Sequence, residues 1–318
     1  MSVVHLNPHA AAGPAPARGP RVWAVASGKG GVGKSLISSS LGLALSRQGK
    51  RVVLVDLDLG GANLHTCLGV ANPKLTLSNF IDGGQRQISD FIHPIPETKL
   101  GLISGADDGL EIANLKHFQK QKILRNLTNI DTDYVILDLG AGTSFNTLDF
   151  FLRAERGIVT VVPDPTSIEN TYRFLKCVLT RRLREAPEQT RKLVTRVLSM
   201  RRDEQQKIRT LAALMTALQQ LHPDHARRLQ DVFDRQKLHV IVNQVIEPTD
   251  TELGSSMVMV CGKYFGQKLD YLGYLNHDRH IIAATRQRRP LMTAYPQSRC
   301  AIHLEQMAAA LLDQDQRI

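Results

Sequence analysis

Residues 28–35 read Gly28-Lys29-Gly30-Gly31-Val32-Gly33-Lys34-Ser35, a complete GxxxxGK[ST] pattern. An apolar run, Val22–Ala26, leads into it. A helical stretch, Leu36–Gln48, follows, with Leu41 and Leu45 on one face. Strand, glycine loop and helix start together turn successive backbone N–H groups toward one point. Glycine lets a phosphate approach the backbone closely, and the helix N-terminus adds partial positive charge. In this arrangement Lys34 neutralises the β- and γ-phosphates of a nucleotide and the Ser35 hydroxyl ligates Mg²⁺. Lys29 is a second cation beside the same anion. With one nucleotide already served by Lys34, it is expected to serve a nucleotide held by a facing subunit.

Further short apolar runs recur at Arg51–Asp56, Leu100–Ser104, Tyr134–Asp138, Gly157–Val162 and Leu238–Val242, separated by helical stretches. Unbroken apolar strands imply burial on both faces, so the expected fold is α/β, a mostly parallel sheet flanked by helices on both faces. In such sheets ligands sit at the carboxyl ends of the strands, where the polar residues of this chain cluster. Residues 1–20, rich in Ala, Pro and Gly, read as a flexible tail ahead of one domain over 21–318. Residues 180–237 lose the β signal and read as a helical insertion, with Ile208, Leu211, Met215 and Leu218 on one stripe. The insertion carries 14 Lys/Arg against 7 Asp/Glu, which is most of the chain's net charge of +10. That sign suits an acidic partner without choosing between nucleic acid and anionic lipid.

The 318 residues, 42% apolar and 22% charged, exclude a disordered or fibrous chain. No apolar run approaches the roughly 18–20 residues of a membrane helix. The N-terminal stretch lacks a basic start followed by an apolar block, which argues against a secretory signal. Cys67, Cys177, Cys261 and Cys300 lie far apart with no CxxC pair, which argues for a reducing cytoplasm and against a zinc ribbon or iron–sulfur site.

Acids stand at the ends of two strands. Val52-Val53-Leu54-Val55-Asp56-Leu57-Asp58 places Asp56 and Asp58 on the same side by alternation, ahead of the flexible turn Gly60-Gly61-Ala62-Asn63. Tyr134-Val135-Ile136-Leu137-Asp138 ends in one acid before Gly140-Ala141-Gly142. A carboxylate there can hold a Mg²⁺-bound water, because Mg²⁺ keeps much of its hydration.

Residues 27–35, SGKGGVGKS, resemble the deviant Walker A motif of the MinD/ParA ATPases. The resemblance runs over roughly residues 21–180 and 238–312. It extends to Leu272-Gly273-Tyr274-Leu275-Asn276-His277-Asp278 and Arg289-Pro290-Leu291. It implies an ATPase that takes ATP and Mg²⁺ and works as an ATP-sandwich homodimer, with Lys29 as the lysine that crosses to the partner's phosphates. It further implies that Asp58 orients or activates the attacking water and that Asp56 supports the Mg²⁺ shell. Asn63 is implied to contact phosphate or the dimer partner. Asn243, after Val240-Ile241-Val242, is implied to read the adenine edge. His65 stands where the family often has Asp.

Three outputs follow from that resemblance. One is placement of division or flagellar machinery through a protein activator or cargo. Another is non-specific DNA contact through Arg286, Arg288 and Arg289, or through Arg181, Arg182, Arg184, Arg201 and Arg202. The third is a protein partner docked on the insertion, with a non-hydrolysing ATP-binding scaffold as its extreme form. The C-terminal stretch Ile302–Ile318 has apolar positions suited to core packing. It lacks the Lys/Arg face of an interfacial anchor, so membrane contact is not supported. A cytoplasmic protein, associated with nucleoid or pole, is expected.

Overall fold

The computed structural model describes residues 19–71, 73–83, 86–105, 115–200, 208 and 210–317. The tail reading for residues 1–18, and the part assigned to Arg201 and Arg202, lie outside the described residues. The first half runs β1 (Arg21–Ala26), α1 (Lys34–Arg47), β2 (Val52–Leu57), α2 (Leu64–Cys67), α3 (Leu77–Asp82), β3 (His93–Pro94), β4 (Leu100–Ile103), α4 (His117–Leu127), β5 (Tyr134–Leu139), α5 (Phe145–Phe151), β6 (Arg156–Val161) and α6 (Pro165–Leu183). The second half runs α7 (Glu188–Met200), α8 (Leu211–Leu221), α9 (Pro223–Asp234), β7 (Lys237–Val245), α10 (Glu252–Val260), β8 (Leu269–Asn276), α11 (Arg279–Arg286), α12 (Leu291–Ala294) and α13 (Arg299–Gln316).

Among the described residues the strands form one eight-stranded sheet in the order β3-β4-β2-β5-β1-β6-β7-β8. All pairings are parallel except β3 with β4. Side-chain alternation divides each central strand between two cores. Val22, Ala24 and Ala26 of β1 face Phe174 of α6 and the cluster that also holds Ile123 and Phe151. Trp23 and Val25 face Leu41 of α1 and Leu304 of α13. Two-sided burial is what the unbroken apolar runs require, and each fully buried Leu or Ile contributes roughly 1.5–3 kcal/mol.

Two helices answer specific sequence features. Helix α1 is buried along nearly its whole length, because α13 covers the side turned away from the sheet. In α13 Leu304, Met307, Ala308 and Leu311 are buried in that same core, so the C-terminal stretch packs inside the domain. The helices α7–α9 of the insertion enclose a third cluster, with Val197, Leu214, Leu218, Leu229 and Phe233 packed on Leu179 of α6. Among the described residues no helix is long and apolar enough to cross a membrane.

Candidate nucleotide site

The strand order puts β1 between β5 and β6, with β2 beyond β5 and β7 beyond β6. The loops after these strands therefore meet at the carboxyl end of the sheet. There the loops after β1, β2, β7 and β8 line a cavity of about 530 Å³ that includes Gly31, Gly33, Lys34, Ser35, Asp58, Asn63, Asn243 and Asp278.

The loop of residues 27–33 is shaped by its glycines and its anchors. Gly33 adopts φ 92° immediately before α1, a left-handed turn that glycine makes without steric cost. Gly28 lies so close to α6 that a Cβ there would overlap the Asn170 carbonyl. Gly30 and Gly31 face open space, as a phosphate cradle requires. Ser27 is fully buried, its Oγ donates to the Lys29 carbonyl at 2.7 Å, and its own carbonyl accepts from the Gly142 N–H at 2.9 Å. The loop after β5 is thus tied to the start of the glycine loop. Lys34 is 7% exposed at the first turn of α1, and Ser35 follows it into the cavity.

The two buried acids are register partners on adjacent strands, Asp56 of β2 opposite Asp138 of β5. Asp138 Oδ1 accepts from the Ser38 hydroxyl at 2.9 Å, while its buried Oδ2 has no partner within the protein. Burial pushes its carboxyl up to about 6, against the lowering influence of Ser35, Ser38 and Lys34. Asp56 Oδ1 accepts from the Asp58 N–H and Oδ2 from the Leu64 N–H, both at 3.1 Å. It closes the 58–64 loop on itself. Burial, and then the charge of Asp138, push it up to about 8. Two acids held side by side in a dry site are relieved by a proton or by a cation. The free Oδ2 of Asp138 and the Ser35 hydroxyl fit a hydrated Mg²⁺ bound to phosphate, which needs few protein ligands. Bound Mg²⁺ would neutralise the phosphate charge.

Asp58 lies just beyond the end of β2, and its N–H donates to Asp56 Oδ1. Its carboxylate sits close to Gly140, between the two flexible loops. Asn63 precedes α2 and its Nδ2 donates to the Gly61 carbonyl at 2.8 Å. Asn243 is 2% exposed, and its Nδ2 donates to the Val32 carbonyl at 2.8 Å. His65 is half-buried, and burial, then Arg288, lower its ring pKa.

Lys29 points to the rim. Its Nζ meets both Asp164 oxygens at 3.2 and 3.3 Å and donates to Thr166 Oγ1 at 2.8 Å. The Thr166 hydroxyl, the Ser167 N–H and Lys29 hold the Asp164 carboxyl down to about 2. The sequence reading missed Asp164 and Thr166. The signal was present in Asp164-Pro165, an N-cap followed by a first-turn proline, but its place beside the glycine loop depends on β6 lying next to β1. Ser38, Cys67 and Gln244 were missed as well. Cys67 lines the cavity with its thiol pushed up to about 12 by burial and by Asp138 and Asp56, which leaves it a poor nucleophile.

One candidate DNA surface needs correction. Arg182 is 4% exposed, donates to Gln236 Oε1 at 2.7 Å and belongs to the packing under the insertion. Arg181 is bound to Asp149 and lies over the Phe145 ring. Arg184, Arg286, Arg288 and Arg289 are exposed.

Comparison with known proteins agrees with this geometry. The antiactivator FleN of Pseudomonas aeruginosa is 24% identical over 291 residues, 91% of this chain and 85% of that protein. The flagellum site-determining protein YlxH of Helicobacter pylori is 35% identical over 158 residues, so that about half of each chain is covered, 48% of this one and 52% of that one. Among solved structures, the septum site-determining protein MinD complexed with Mg-ADP from Pyrococcus horikoshii matches with a TM-score of 0.64 at 19% identity, covering 92% of this chain and 96% of that one. At that identity the match speaks for the fold. A family model described as "ParA: NUBPL iron-transfer P-loop NTPase" matches residues 20–179. The four cysteines are free. The P-loop part is carried residue by residue, and the chain belongs to the ParA family of P-loop NTPases as a MinD/ParA-type ATPase that takes ATP with Mg²⁺.

Proposed function

We propose that this ATPase is a dimerising switch that sets the placement or number of a polar structure, flagellar machinery first among the candidates. Two copies clasp two ATP–Mg²⁺ between their glycine loops. The γ-phosphate holds the loops after Asp58 and Asp138 in the dimer-competent shape, and hydrolysis releases them. Asp58 positions the attacking water, Asp56 and Asp138 support the cation, and Asn63 and Asn243 flank the nucleotide. The output is a change in affinity for a protein activator or cargo in the cytoplasm, at a pole or on the nucleoid.

The observation that carries this reading is Lys29. Its amine stands at the rim, 41% exposed and held by Asp164, rather than folded into the cradle that Lys34 serves. A cation in that place suits a nucleotide held by a facing copy. Similarity to YlxH, named as a flagellum site-determining protein, supports the choice of cargo. The test is sedimentation of Asp58→Ala and of Lys29→Ala/Asp58→Ala with ATP. The first is expected to dimerise and the second to remain monomeric; a dimer of unchanged affinity in the second would end the proposal.

DNA is a second reading, favoured by the exposed Arg286, Arg288 and Arg289 at the end of α11, which walls the nucleotide cavity. ATPase stimulation by DNA that fades with rising salt would support it.

A further inference from the structure

The end of β7 holds an irregularity that nucleotide chemistry alone does not explain. Register between β7 and β8 shifts between Val242 and Val245, and inside that shift Gln244 adopts φ 58°. A long side chain in the left-handed region is uncommon and persists where surroundings hold it. Here two neighbouring amides reach back to the glycine loop. Asn243 Nδ2 donates to the Val32 carbonyl at 2.8 Å, and Gln244 Nε2 donates to the Gly31 carbonyl at 3.2 Å. Asn243 Oδ1 accepts from the Gln244 N–H at 2.9 Å, which stiffens the pair.

The consequence follows from the planar trans peptide, in which C=O and N–H point in opposite directions. Pinning the Gly31 carbonyl fixes the direction of the Val32 N–H. Pinning the Val32 carbonyl fixes that of the Gly33 N–H. These N–H groups belong to the concave row that receives phosphate. Gly31 and Gly33 have no side chain to restrain them, and both sit at positive φ, 76° and 92°. Without an external hold their peptide planes are free to turn. Asn243's Nδ2 is engaged by the loop and its Oδ1 by the Gln244 N–H.

We propose that Gln244 is a positioning residue. With Asn243 it forms a carbonyl clamp that presets two N–H groups of the phosphate cradle before nucleotide arrives, and the left-handed turn at Gln244 exists to aim its amide at Gly31. This rests on the P-loop binding a nucleotide diphosphate moiety. The clamp acts on affinity for that moiety and on the order of the free loop, not on the chemical step.

The test uses the full chain with Gln244→Gly and Gln244→Asn. Both residues tolerate positive φ, so the turn survives, while neither reaches the Gly31 carbonyl. Calorimetric titration with ADP is the first readout, and wild-type binding of ADP is the control for the nucleotide reading itself. The expected result is about threefold to tenfold weaker ADP binding in both variants, the scale of one hydrogen bond. The second readout is amide exchange at Val32 and Gly33 in nucleotide-free protein, expected to speed up in both. The third is Tm without nucleotide, expected to hold steady or rise in Gln244→Gly as the strained turn relaxes. Wild-type protein that fails to bind ADP would instead refute the nucleotide reading. Wild-type binding with unchanged affinity and exchange in the variants would overturn the clamp alone. A Tm loss that parallels the affinity loss would also overturn it, by assigning Gln244 a merely structural role.

Discussion

The two ends of the central sheet each bury charge, and they do so in opposite ways. At the carboxyl end, Asp56 and Asp138 sit opposite each other with like sign, and one carboxylate oxygen of Asp138 has no partner. At the amino end, Arg156, 1% exposed, is ion-paired with Asp315 of α13 and donates to Gln314 Oε1 at 2.8 Å and to His239 Nε2 at 2.9 Å. Arg21 joins the same Asp315 at 3.1 Å. A cavity of about 720 Å³ opens beside this second cluster, larger than the one at the glycine loop. Hollow volume therefore does not locate the chemistry. The sign of the charges does: at the amino end opposite charges pair with one another, while at the carboxyl end two acids face each other and are relieved by a proton or by a bound cation.

Arg156→Ala gives the largest expected effect. It removes the buried partner of Asp315 and leaves the half-exposed Arg21 as the remaining one, and urea unfolding should show a loss of about 3 kcal/mol, the low end of the cost of breaking a buried pair. ATP affinity per folded molecule should be unaltered; a stability near wild type would erase the distinction between the ends. Asp138→Asn should act in the opposite direction on stability. Removing one of two adjacent buried carboxylates is expected to raise the Tm of the nucleotide-free protein by about 2–4 °C, the response to roughly 1 kcal/mol in a chain of this size. Phosphate release should meanwhile fall about 10–100-fold, as for a lost cation support. The remaining effect concerns pH. Burial, then Arg156, lower the His239 pKa to about 3. Between that value and the ordinary one near 6.5, the unfolded chain binds a proton that the folded chain does not. Stability is therefore retained above pH 6.5 and lost on acidification toward 3, by at most about 1.4 kcal/mol per pH unit. Urea midpoints between pH 7 and 5 should fall less in His239→Gln than in wild type.

The contrast also marks what a sequence reveals. The glycine loop, both strand-end acids and the parallel sheet were legible because each is a local pattern: contiguous residues, strand before and helix after. Arg156 and Arg182 look like surface charges in sequence, and both are buried. Their partners, Asp315 and Gln236, lie far along the chain and meet them only through packing. Asp164 was illegible as a partner of Lys29 for the same reason. Asn243 was noticed as a strand-end amide, but the direction of its hydrogen bonds depends on the bulge that turns Gln244. Asp56 is the buried acid of β2, while Asp58 lies just past the end of the strand, so the hydrogen bond from its N–H to Asp56 could not be read from alternation.

Helix α1 is enclosed by the sheet on one side and α13 on the other, with Arg47 of its last turn donating to the Met292 carbonyl at 2.9 Å. A rod wedged in this way has little room to slide when its ligand gains or loses a phosphate. Signals leaving the nucleotide then travel through the segment 58–64, which borders the cavity, and through 140–144, which is tied to the glycine loop by the Gly142 N–H on the Ser27 carbonyl. A spin label on α1 would then stay silent through a full turnover, while one on either segment would report every cycle.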